Sequence, residues 1–131
     1  MSEPILTPRL VVAGTDDAIA FYRKSLGAEL LERHFDEGLG LVVHAALSIG
    51  EAVFALTEQS PASHNHAPGS LGGTPVIMQL MVDDPDAVAA AMVAVGAEVI
   101  FEIADRFYGR RDGRLRDPFG HVWILFKTLD S

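Results

Sequence analysis

The side chains able to do chemistry in this sequence fall into a few groups. His44 sits in the run Leu41 to Ser48, which the pair Gly50-Glu51 joins to the run Ala52 to Thr57. A Gly-first pair of this kind closes a tight hairpin. If Ile49 pairs with Ala52, then Ala46 lies opposite Ala55 and His44 opposite Thr57. An imidazole there can ligate a metal, accept a proton from a bound molecule, or simply hydrogen-bond to its neighbours. As a metal ligand it needs two or three partners, and none stands out. His64 and His66 lie two apart in a segment without periodicity, a spacing that at most collects adventitious metal. Arg110, Arg111, Arg114 and Arg116 gather cationic charge in an acidic chain. Most are expected to pair at the surface with Asp105, Asp112 and Asp117, leaving one able to hold a ligand carboxylate. Phe107, Tyr108 and Trp123 form an aromatic group, either core packing or the wall of a flat-ring site. No nucleophile–base pair, phosphate loop or nucleotide fingerprint is present, so no catalytic residue is named.

The elements that position these groups follow from turn chemistry and periodicity. Asp117-Pro118-Phe119-Gly120 is a turn signal, because Pro118 presets φ and Gly120 tolerates φ > 0. Asp117 is expected to be its turn-forming side chain. Val122 to Phe126, apolar, β-branched and aromatic, is a strand. With Arg116 set opposite His121, Leu115 faces Val122 and Gly113 faces Ile124. Upstream, Arg9 to Ala13 reads as a strand. Thr15-Asp16-Asp17 offers helix N-cap chemistry from Thr15 or Asp16, and Ile19, Tyr22 and Leu26 share one helical face before Gly27. Glu29 to Phe35, Leu41 to Ser48 and Ala52 to Thr57 are strands. The order is βαβββ. Residues 59–73 read as a linker. After it come a strand from Pro75 to Val82, a helix opened by Asp83-Asp84-Pro85-Asp86, a strand from Glu98 to Ile103, and the terminal hairpin.

The order repeats. Gly27-Ala28-Glu29 matches Gly96-Ala97-Glu98, an offset of 96 − 27 = 69, which also sets Val11 on Leu80, Asp17 on Asp86 and Ile19 on Val88. Two βαβββ units, about 5–58 and 74–128, therefore make up one domain over 1–131. This is an α+β fold: a mixed, curved sheet with one helix per unit on one face, arranged around a cavity. The other face needs a cover: the second unit, a partner chain or a ligand.

Composition narrows the function. A chain of 131 residues with 49% apolar content builds a real core. A net charge of −8 argues against nucleic acid, whose phosphates need a basic face. No apolar run is long enough for a membrane span. The start, Met1-Ser2-Glu3-Pro4, does not look like a signal peptide. Zero cysteines exclude disulfides and thiolate chemistry. A cytoplasmic location is the expectation.

The tandem units, with Asp-Pro-Phe-Gly-His in the last hairpin, resemble the vicinal oxygen chelate superfamily of glyoxalases, ring-cleaving dioxygenases and antibiotic-binding resistance proteins. Within it the likeness is to the PhnB-like branch. It is carried by Thr7-Pro8, His44-Ala45-Ala46-Leu47, Ile49-Gly50-Glu51, Gly72-Gly73-Thr74-Pro75, Val82-Asp83, Asp86-Ala87-Val88, and the run Phe107-Tyr108-Gly109 through Arg116-Asp117-Pro118-Phe119-Gly120-His121-Val122-Trp123. The resemblance implies a ligand position on each of four inner strands, falling here at or near Thr7, Ala55, Ile77 and Ile124. Alanine and isoleucine cannot coordinate a metal, and a hydroxyl alone is weak. No metal and no other cofactor is therefore expected. What remains is a small-molecule site lined by Thr7, His44, Ala46, Ala55, Thr57, Ile77, Gln79, Phe107, Tyr108 and Ile124. The expectation is a metal-independent homodimer that binds a small organic molecule, as drug-sequestering resistance proteins do. The alternatives are a glyoxalase-type lyase or isomerase or a dioxygenase-like enzyme, and a domain whose only role is association.

Overall fold

The computed structural model describes residues 2–130. Strand β1 (Arg9–Val12) leads into helix α1 (Thr15–Leu26), followed by β2 (Glu29–Asp36), β3 (Leu41–Ile49) and β4 (Ala52–Glu58). Between the units lie a single 3₁₀ turn (Pro61–Ser63) and the short helix α2 (Pro68–Leu71). The second unit holds β5 (Ile77–Met81), α3 (Pro85–Ala94), β6 (Glu98–Asp105), β7 (Arg110–Arg116) and β8 (Val122–Thr128). They form two four-stranded sheets, β1-β4-β3-β2 and β5-β8-β7-β6, in which only the β1–β4 and β5–β8 pairs are parallel. The α+β fold of two βαβββ units is the one the sequence predicts.

The helix side of both sheets feeds one core. Leu10, Tyr22, Leu47, Phe54 and Leu56 from the first unit and Met92, Leu115, Trp123 and Leu125 from the second belong to a single buried cluster. The rings of Tyr22, Phe54 and Trp123 meet edge-on or tilted, 5.4–5.9 Å apart. The two sheets therefore turn their helix faces inward, and the opposite faces look outward.

Three expectations need correction. The terminal hairpin closes as Arg116 opposite Val122, Leu115 opposite Trp123 and Gly113 opposite Leu125. Asp117 N–H donates to the His121 carbonyl, so the turn takes in one more residue than expected. Buried Leu115 and Trp123 thereby share the core face, whereas the one-residue shift expected would have put them on opposite faces. Neither Thr15 nor Asp16 caps α1. The Glu58 carboxylate, from the end of β4, accepts from Gly14 N (2.9 Å), Thr15 N (2.8 Å) and Thr15 Oγ1 (2.9 Å), with Gly14 in the left-handed region. At α3 the cap is local, Asp84 Oδ1 accepting from Ala87 N with Pro85 at the first position. Finally, the repeat is not gapless. Leu10 beside Leu56 corresponds to Leu80 beside Leu125, an offset of 80 − 10 = 70 in the first strand. Buried Thr15, Ile19 and Tyr22 likewise match buried Pro85, Ala89 and Met92. The offset returns to 69 by Gly96, so one residue is missing near the end of α3.

The Asp-Pro-Phe-Gly-His turn knits the units together. Asp117 is 3% exposed and accepts four hydrogen bonds: from Phe119 N and His121 N, from the Tyr22 hydroxyl across the unit boundary, and from Trp123 Nε1 at 2.9 Å. His121 Nε2 donates to the Val11 carbonyl at 2.7 Å. Asp117 is the turn former foreseen, and it also anchors the core. Burial, then the Asp117 carboxylate, pushes the Tyr22 hydroxyl well above its ordinary pKa, so it remains a donor.

Candidate functional site

Strand register fixes which side chains share the outward faces. Across the first sheet one row reads Arg9, Ala55, Ala46, Glu32. The equivalent row of the second sheet reads Gln79, Ile124, Arg114, Phe101. Ala55 and Ile124, two of the positions implied as ligand sites, occupy the same place in each.

On the first face, two alanines leave room for the Arg9 side chain to reach His44. Arg9 Nη2 lies 3.0 Å from His44 Nδ1, and His44 Nε2 lies 2.9 Å from Glu32 Oε1. A guanidinium can only donate, so Nδ1 is the acceptor, Nε2 carries the proton, and the ring is the neutral Nε2–H tautomer. His34 stacks on His44 with ring centroids 5.8 Å apart. Hydrogen bonds from His44, then His34, hold the Glu32 carboxyl below its ordinary value. Ala46 and Ala55 form a buried floor, and the buried Thr57 hydroxyl donates to the Val43 carbonyl at 2.9 Å. Arg9 and Glu32 went unnoticed in the sequence. Their signal was strand alternation, which puts Arg9 two residues after Thr7 on one face.

The second face is less paired. Phe101, Arg106, Tyr108, Asp112, Gly113, Arg114 and Ile124 line a cavity of about 290 Å³. Asp112 accepts from Arg106 Nε at 2.8 Å and from the Tyr108 hydroxyl at 2.7 Å. Burial raises the Asp112 pKa, but these hydrogen bonds outweigh it and the net shift is downward. Gly113 is required here, since a Cβ would stand 2.6 Å from Ile103 Cδ1 and 2.9 Å from the backbone of β6. The arginine cluster keeps part of the expected pairing with Asp105, Asp112 and Asp117, the Arg111–Asp105 pair, and otherwise sorts itself differently. Arg111 binds Asp86 and Asp105, and Arg116 binds Glu98. Arg110 stacks 4.1 Å from the Phe126 ring centroid and reaches Gln79 at 3.4 Å. Asp112 is paired with Arg106, and Asp117 with no arginine. The Arg114 side chain has no ion pair or hydrogen bond among the described residues.

The remaining expected site residues are dispersed. Thr7 and Gln79 line a cleft of about 450 Å³ with Ile5, Val53 and Met78. Ile77 is 38% exposed, Phe107 fully exposed, and Tyr108 half-exposed with its hydroxyl committed to Asp112. Trp123 is buried in the core. Within one chain the set therefore divides between two outward faces instead of converging on one cavity.

The sequence model of the glyoxalase/bleomycin resistance protein/dioxygenase superfamily matches residues 5–125. The chain belongs to this superfamily. It is 40% identical over 126 residues to the uncharacterized protein Mb0911c of Mycobacterium bovis, covering 94% of this chain and 82% of that one. The uncharacterized protein Rv0887c of Mycobacterium tuberculosis is equally similar, with 74% of its length covered. Among solved structures, a gene product of Arabidopsis thaliana superposes with a TM-score of 0.76 at 23% identity, covering 95% of this chain and 98% of that one. A glyoxalase family protein of Bacillus cereus superposes with 0.74 at 22%, covering 99% of each. At such identities the superpositions establish the fold of the superfamily and no more.

A divalent metal of the kind used by metal enzymes of the superfamily does not fit these residues. Ala55, Ile77 and Ile124 carry no donor atom. His44 offers its one lone pair to Arg9, and a guanidinium within 3.0 Å repels a second cation.

Proposed function

We propose that this protein binds a small organic molecule without a metal, on the sheet faces turned away from the core, and that it does so as a homodimer. The observation that carries this is the make-up of those faces. Ala46, Ala55, Ile77 and Ile124 give an apolar floor with a few polar groups around it, as ligand sites are built. The dimer follows from what is left open. Ile5, Leu6, Val76, Met81, Phe101 and Phe107 are each more than half exposed, too much apolar surface for a lone chain to leave wet. Outward faces that diverge within one chain can be brought together by two. Sequestration of a drug-like compound in the cytoplasm, by a PhnB-like member of the superfamily, is the concrete form of the reading. A glyoxalase-type lyase or isomerase, or a dioxygenase-like enzyme, would call on His44 as base, and the lone pair it would use is already accepting from Arg9.

The test is a melting-temperature screen of neutral and charged ring compounds, run with and without chelator, alongside light scattering. Ligands are expected to raise the melting temperature whether or not chelator is present, and to lose their effect in Ala55→Trp or Ile124→Trp. The mass is expected at twice 14.1 kDa. A species of 14.1 kDa at micromolar concentration, or a library without one stabilising compound, overturns the reading.

A further inference from the structure

Arg114 is the one arginine of its cluster that the fold leaves unsatisfied. Its Nε has no accessible surface and no partner among the described residues. An atom closed to water is closed to a ligand oxygen of the same size, so an anion would meet this guanidinium at its two Nη atoms, which are open and have no hydrogen-bond partner among the described residues. The rest of the guanidinium lines the cavity of the second face, its Cζ 5.3 Å from the Phe101 ring centroid. The other charges in that lining cancel, because Arg106 and Asp112 are bonded to each other. The cavity therefore carries one uncompensated positive charge, beside the apolar surfaces of Phe101 and Ile124.

We infer that Arg114 is the anchor for the carboxylate of a ring-bearing organic acid, with the ring against Phe101 and Ile124. A guanidinium fork matches a carboxylate in geometry as well as charge. A monoanion balances the lining. A phosphate or phosphonate dianion would need a second unpaired cation, which the lining does not hold, since Arg110 is stacked on Phe126 outside it. This names the ligand class and rests on reading the outward faces as ligand surfaces.

The test compares 2-naphthoate, 2-naphthamide and 2-naphthyl phosphate by isothermal titration calorimetry on the intact protein. Naphthoate is expected to bind about tenfold or more tightly than the amide, with the phosphate no tighter than naphthoate. Arg114→Met keeps the aliphatic stem and is expected to equalise naphthoate and amide. Arg114→Lys, a check against loss of folding, is expected to retain part of the preference, and only that preference is to weaken as sodium chloride is raised. Equal binding of acid and amide by the unaltered protein, a preference that survives Arg114→Met, or tighter binding of the phosphate overturns the inference. Acid and amide that bind equally, both blocked by Ile124→Trp and both indifferent to Arg114→Met, sink the carboxylate and leave the small-molecule reading standing. Binding of none of the three, with no compound found in the wider screen, sinks both.

Discussion

The two sheets present the same row at the same place and charge it in opposite ways. In the first unit Arg9 and Glu32 stand at the two ends, and His44 links them over the small side chains of Ala46 and Ala55. In the second unit the end cation has become Gln79, a cation stands instead at Arg114 in the place of Ala46, the acid has become Phe101, and Ala55 has become Ile124. The first row is electrically closed and its polar atoms are used internally. The second row is open, with a cation left over. A duplicated unit thus keeps its backbone plan while its two copies divide the labour: one face is self-satisfied and shape-forming, the other still has a charge to offer.

The two units are held together at the Asp117 turn, and the largest effect is expected there. Asp117→Ala would orphan the Tyr22 hydroxyl, Trp123 Nε1 and the amides of Phe119 and His121, all clustered at the buried turn. At ~1–3 kcal/mol for each donor left unpaired, with partial relaxation, the loss is expected at about 3–6 kcal/mol. The melting temperature should fall by roughly 10–20 °C, in a single transition. Two separate transitions in calorimetry would show that the units fold independently and that the core they share is not what unites them.

Next in size is the contrast between the helix caps. Glu58→Ala removes the acceptor for Gly14 N, Thr15 N and Thr15 Oγ1, and is expected to cost about 1–2 kcal/mol. Asp84→Ala removes one acceptor, for Ala87 N, at about 1 kcal/mol or less. Urea denaturation of the two variants checks the order. If Asp84→Ala is the more damaging, the long-range cap of the first unit is worth less than its three hydrogen bonds suggest.

These caps also show where sequence reasoning stops. Asp84-Pro85 is legible because donor and acceptor lie within three residues, whereas Gly14 and Glu58 are 44 apart and meet only once β1 lies beside β4. The order of elements, the Gly50-Glu51 hairpin and the opposition of Ala46 to Ala55 were readable for the same local reason. A turn on Asp-Pro-Phe-Gly fits closure of Arg116 on His121 or on Val122, and the joint burial of Leu115 and Trp123 decides for Val122. The missing residue near the end of α3 was hidden because Gly-Ala-Glu matches so well just after it. For the site, Ala55 and Ile124 came from the family resemblance, and Ala46 from its place opposite Ala55 in the hairpin. The charged partners came from neither. Arg9 meets His44 across 35 residues, and Arg114 stands out only once Arg111 and Arg116 have taken acids, Arg110 has stacked on Phe126, and the Arg114 Nε is left without a partner.

A pH titration probes the closed row. Hydrogen bonds from His44 and His34 hold the Glu32 carboxyl below its ordinary value of 4.5. A carboxyl lowered on folding contributes stability above its unfolded value, and that contribution is lost as pH falls through the lowered folded value. Between those two values, the unaltered protein is expected to lose stability more steeply with falling pH than Glu32→Gln. Denaturation at a series of acidic pH values checks this, and parallel curves would mean that the exposed network adds nothing.

The smallest effect is the most direct reading of the first face. Because Arg9 donates to His44 Nδ1, the imidazole is fixed as the Nε2–H tautomer. Nitrogen-15 chemical shifts of His44 at neutral pH should show one protonated nitrogen, Nε2, and one bare acceptor, Nδ1. Arg9→Met is expected to leave the melting temperature within about 2 °C, since an exposed pair contributes ~0–1 kcal/mol. It should nevertheless release the ring to mix tautomers and open Nδ1 to a bound molecule. A His44 that stays wholly Nε2–H without Arg9 would show that Glu32 alone sets the tautomer. A His44 bearing its proton on Nδ1 in the unaltered protein would break the contrast between the rows, because Arg9 would then be as free as Arg114 and both faces would have a cation to offer.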